Sequence, residues 1–82
     1  MTSYNTVDNY TEGSISGRVI KVISKTAFVL KTDDGYIYWC IIHNKDIHPP
    51  ELGEEQSYFG LIENYYPNNK RYPIEMLIKK AA

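Results

Sequence analysis

A chain of 82 residues is one small domain with a modest core. Nine Lys/Arg against ten Asp/Glu leave a net charge of −1, which excludes a protein that coats nucleic acid by charge alone. The single cysteine, Cys40, excludes an intramolecular disulfide and a multi-cysteine zinc site, and 13% aromatic residues with eight tyrosines are the one unusual feature of the composition.

Residues 1–14 are polar and lack a period, so they read as a flexible lead, with the domain spanning 15–80. From Ile15 to Thr32 the text is β-branched and apolar. Gly17 inside the first strand pattern suggests a bulge or sharp bend. Val19 and Val22 stand three apart, as do Ile20 and Ile23, which breaks strict alternation and calls for a bulge. Asp33-Asp34-Gly35 is a tight-turn signal, and Tyr36–Ile42 follows as an aromatic and β-branched third strand. From His43 to Glu55 two prolines and a cluster of acids make a connector, with room for one short helical turn. Residues 56–66 read as a fourth strand, with Gly60 at a bend. Pro67-Asn68-Asn69-Lys70 is a turn, and residues 71–79 are a fifth strand.

Five short strands with a connector between the third and fourth predict an all-β, five-stranded Greek-key barrel of the oligonucleotide/oligosaccharide-binding (OB) type. A Src-homology or tudor-type small barrel is the competing architecture. Gly17, Val19 and Val22, followed by Ala27-Phe28-Val29, resemble the first strands of S-one-type ribosomal RNA-binding repeats. Lys25 and Asp33-Asp34-Gly35 are similarly spaced to a lysine and an Asp-Asp-Gly turn in cold-shock domains. Direct similarity covers about a quarter of the chain. Thr26 stands in place of a glycine in both patterns, and Ala27 and Val29 stand where cold-shock domains have stacking phenylalanines. The resemblance implies an OB barrel and single-stranded nucleic acid as its ligand.

Divided by segment, the net charge is less bland. Residues 15–45 carry five cations against Asp33 and Asp34, a net of +3; residues 46–66 carry five acids and no cation, a net of −5. Residues 67–82 return to +3, and the lead holds −2. In such barrels the ligand meets strands 2 and 3 and the loops joining strands 1–2 and 4–5. Lys25 falls in the first of those loops and Lys70 and Arg71 in the second, with Lys31 on the second strand. Lysines tracking phosphates beside stacking aromatics hold single strands.

Alternation on the third strand puts Ile37, Trp39 and Ile41 on one face and Tyr36, Tyr38, Cys40 and Ile42 on the other. If Trp39 packs inward, Tyr36 and Tyr38 point to the ligand. Phe28 faces inward in the cold-shock register and toward ligand in the ribosomal-type register, so it stays a candidate. Tyr65, Tyr66 and Tyr72 flank the Pro-Asn-Asn-Lys-Arg turn and complete the candidate set.

His43, Asp46, His48 and Cys40 match no zinc spacing. No nucleophile triad or glycine-rich phosphate loop stands out, so neither enzyme, cofactor nor metal is expected. With no basic-then-apolar N-terminus and no apolar run long enough to span a bilayer, the expectation is a cytoplasmic protein without a membrane partner. The favoured reading is low-specificity binding of single-stranded DNA or RNA. The alternative is a protein-binding barrel, an inhibitor, adaptor or assembly subunit, working through the acidic connector 46–55 or a tyrosine-rich face. Monomer and homodimer are compatible with either.

Overall fold

The computed structural model describes residues 10–63 and 73–82. It contains β1 (Tyr10–Ser24), β2 (Ala27–Thr32), β3 (Ile37–Ile42), β4 (Glu55–Glu63) and β5 (Ile74–Ala81). A mixed sheet closes on itself in the order β1-β2-β3-β5-β4. All neighbouring pairs are antiparallel except β3 with β5, which run parallel. Closure leaves no strand as a free edge, which is how a small β-structure avoids exposing unpaired backbone groups. No helix is present among the described residues.

β1 is long because it serves two neighbours in turn. Its first half pairs with β4 from Tyr10↔Glu63 to Arg18↔Glu55, and its second half pairs with β2 from Gly17↔Thr32 to Ser24↔Ala27. Tyr10–Ser14, assigned by sequence to the lead, thus belongs to the ring. The ladder to β2 shifts register between Val19 and Lys21 and again between Val22 and Ser24. The first shift is the bulge that the valine spacing demands. Gly17 itself lies in unbroken pairing. It is glycine because a Cβ there would collide with the Lys31 carbonyl. At Gly60 a Cβ would collide with the Leu77 carbonyl, and here the ladder does shift, between Phe59 and Gly60.

Alternation fills the interior. Ile15 and Val19 of β1, Phe28 and Leu30 of β2, Cys40 and Ile42 of β3, Tyr58 of β4, and Met76 and Ile78 of β5 form the buried cluster. Phe28 and Tyr58 meet with ring centroids 5.3 Å apart. Tyr38, Ile47 and Ile62 pack against the cluster from its margins.

The β2–β3 hairpin closes on Gly35, at φ +94°, with Thr32 N donating to Tyr36 O at 2.9 Å. The connector 43–54 contains turns and no helical turn. Pro49 and Pro50 lack the amide hydrogens a helix would need, and the Asn44 Oδ1 accepts from Asp46 N at 2.9 Å, which fixes a turn instead. The end of the connector is tied to β1: Gly53 N donates to Val19 O at 2.8 Å and Val19 N to Glu54 O at 2.9 Å. Gly53 adopts φ +89°, a conformation glycine reaches without steric cost.

Candidate functional site

Phe28 and Leu30 point into the core, so Val29 between them faces outward. The same holds on β3, where Tyr38, Cys40 and Ile42 face the core and Ile37, Trp39 and Ile41 face out. Cross-strand partners share a face. The outer surface of β1, β2 and β3 therefore carries one row Lys21–Val29–Trp39 and another Arg18–Lys31–Ile37. Trp39 is partly buried and Lys21, Lys31 and Arg18 are exposed.

This arrangement reverses two sequence expectations. Trp39 does not pack inward; Tyr38 does, and burial followed by the nearby Asp34, Tyr36 and Cys40 raises its pKa. Phe28 is 1% exposed and touches Tyr58, so a base cannot stack on it while the core is intact. Phe28 thus faces inward, together with Leu30. On the inward face Tyr38 stands beside Leu30 and Cys40 beside Met76 in the adjoining strands.

Lys25 sits exposed in the two-residue turn between β1 and β2, where Thr26 N donates to Ser24 Oγ at 3.2 Å. Tyr36 is 39% exposed beside the β2–β3 turn. Lys31 shares the outward face of β1–β3 with Trp39 and Lys21, the two residues that sequence reasoning left out of the candidate set, while Lys25 and Tyr36 sit at opposite ends of β2. Tyr65, Tyr66, Lys70, Arg71 and Tyr72 lie outside the described residues. Lys21 was hidden because strict alternation would put it on the same face as Val19, and only the bulge between them turns it outward.

The cations differ in what they face. Arg18 Nη2 is 2.9 Å from Glu55 Oε2, an exposed ion pair. Lys21, Lys25 and Lys31 form no ion pair with a described residue. On the far side of Trp39 the row continues to Glu75, which accepts from Tyr10 Oη at 2.7 Å and whose own amide donates to Glu63 Oε1 at 3.1 Å. Trp39 therefore divides a basic side at β1–β2 from an acidic side at β4–β5. Next to it runs a partly buried apolar row, Ala27–Ile41–Leu77–Leu61. Beyond Val19, the end of β1 also exposes Ile20, Val22 and Ile23.

Cys40 lies in the core at 0% exposure, and burial pushes its thiol up to about 12, so it serves as a small apolar residue and not as a nucleophile or metal ligand. Among the described residues no group of three or more His, Cys, Asp and Glu is placed to hold a metal ion. No helix among them is long and apolar enough to cross a membrane. Comparison with protein-family models, with curated proteins and with solved structures gives no match.

Proposed function

We propose that the chain is an OB-type barrel that binds single-stranded DNA or RNA with little sequence preference, as a binding module and not an enzyme. The strand order, with β3 between β2 and β5 and a connector leading from β3 to β4, supports the fold reading. The observation that carries the ligand reading is the outward Trp39 in a row with Lys21 on the face such barrels use. Trp39 stacks a base, and Lys21, Lys25 and Lys31 meet phosphates on either side. The segment from β4 to β5, which carries Tyr65, Tyr66, Lys70, Arg71 and Tyr72, occupies the chain position of the second ligand loop of the fold. Few cations mean modest affinity that falls with salt, at about −0.7 per phosphate neutralised on a log–log plot.

Trp39 is the single tryptophan, so its emission reports directly on the proposed contact. Oligo-dT and oligo-U titrated at two salt concentrations should quench it, more weakly at the higher salt. Unchanged emission at about 100 µM protein, well into the weak nonspecific range, overturns the reading.

One observation favours a protein partner instead: the apolar row Ala27–Ile41–Leu77–Leu61 beside Trp39. Leu77→Lys would then abolish partner binding, whereas Lys21→Glu would weaken only the oligonucleotide complex.

A further inference from the structure

Away from the β1–β3 face, the connector and the ends of β4 and β5 border an open cleft of about 620 Å³, within the range of about 300–1,000 Å³ common for ligand pockets. Its wall holds three carboxylates, Asp46, Glu51 and Glu54, against one ammonium, Lys80. Glu54 is committed locally: its Oε1 accepts from Glu51 N at 2.8 Å and from Gln56 Nε2 at 3.2 Å. The Asp46 and Glu51 carboxylates pair with no described residue. Ile47, which packs on the core, gives the cleft an apolar floor.

Tyr58 is the second and independent feature. It is 3% exposed, with its ring held in the core against Phe28, yet it lines this cleft. Its hydroxyl makes no hydrogen bond to any described residue, and its oxygen is reached by solvent, since no buried side-chain N or O among the described residues lacks a partner. Burial first, and then Cys40 and Glu54, push its pKa up to about 12.

We propose that this cleft takes an arginine or lysine side chain from a basic peptide segment of a partner protein. The aliphatic stem lies on Ile47, the cationic head lies between Asp46 and Glu51, and the Tyr58 hydroxyl receives a hydrogen bond from it. The carboxylates do not converge as metal ligands do, which suits an extended organic cation and not a bare ion. A guanidinium supplies five donors in a planar fork, enough to reach two carboxylates and a phenol together. The site is separate from the proposed nucleic-acid face, so either can fail alone.

The test is a two-dimensional amide NMR titration of the full chain with acetyl-Gly-Arg-Gly-Lys-Gly-amide, with the Glu-for-Arg/Lys peptide and spermidine in parallel. The basic peptide should shift the amides of Ile47, Glu51, Gln56 and Tyr58. Asp46→Asn and Glu51→Gln should each weaken it severalfold, and Tyr58→Phe, which keeps the ring, should weaken it about threefold or more. Absent shifts at 10 mM peptide, on the order of ten times the 1 mM scale of the weakest specific binding, overturn the proposal. So do equal shifts with the acidic peptide, or binding of spermidine in place of the peptide. An unchanged affinity in both Asp46→Asn and Tyr58→Phe overturns it as well; Asp46 is exposed, so that variant remains informative if Tyr58→Phe is poorly folded.

Discussion

The two faces of the β2–β3 hairpin are built from similar residues and do different work. Inward go Phe28, Leu30, Tyr38 and Cys40; outward go Val29, Lys31, Trp39 and Ile41. The inward face has two aromatic side chains, Phe28 and Tyr38, and the outward face one, Trp39, each with aliphatic neighbours. What separates them is the opposite wall. The inner face packs against β1, β4 and β5 across the ring, whereas on the outer face Val29 is buried but Trp39 and Ile41 are only partly covered and Lys31 is exposed. Hydrophobic character alone therefore does not mark the core in a barrel this small, since too few polar residues exist to cover the outside.

The sharpest way to break the comparison is to truncate one aromatic on each face. Phe28→Ala should cost about 3–5 kcal/mol, as for a fully buried aromatic, while Trp39→Ala should cost about 1 kcal/mol, as for a cross-strand pair. Urea midpoints of the two variants measure the difference, and equal losses would erase the distinction between faces. Alkali should probe the inner face next. The folded Cys40 pKa is about 12 against an ordinary 9.0, so the unfolded thiol ionises first. The stability it contributes is whole below pH 9 and is lost as pH rises toward 12, on the order of 1.4 kcal/mol per pH unit. Tyr58 acts in the same direction from an ordinary 10.0 upward. Urea midpoints taken from pH 8 to 11 should fall, and Cys40→Ala should flatten the fall.

Smaller effects sharpen the picture. Gly17→Ala places a methyl against the Lys31 carbonyl and should cost about 1–3 kcal/mol in thermal or urea unfolding, the usual range for overpacking. On the outer face, loss of the indole should appear in binding: about 1–3 kcal/mol of oligonucleotide affinity in a filter or anisotropy assay of Trp39→Ala. Arg18→Ala should change stability by less than about 1 kcal/mol, because its pair with Glu55 is exposed on both sides.

Much of the architecture was legible in the chain. The β-branched runs, the Asp33-Asp34-Gly35 turn and the proline connector mark five strands and where the hairpin turns. The offset of Val19 and Val22 announces a bulge. The candidate site was less legible. Lys31 stands on the face that also holds Trp39, with Lys25 and Tyr36 in turns at the two ends of β2, but Phe28 and Tyr38 face the core, and Lys21 and Trp39 were not in the candidate set. The partition of β3 into two sets was right; choosing which set faces in was not possible from one strand, because an alternating pattern is symmetric under exchange of faces when both are apolar.

The amino-acid sequence by itself thus determined the element types, their order, the turns and the split of charge between a basic strand set and an acidic connector. These follow from backbone preferences and period-two patterning, which act locally. Only the tertiary structure decided that Trp39 faces out and Tyr38 in, that Lys21 turns away from Val19, and that the acidic connector borders an open cleft beside Tyr58. Each of these depends on closure of the ring, which sets the volume available inside and brings together residues distant along the chain.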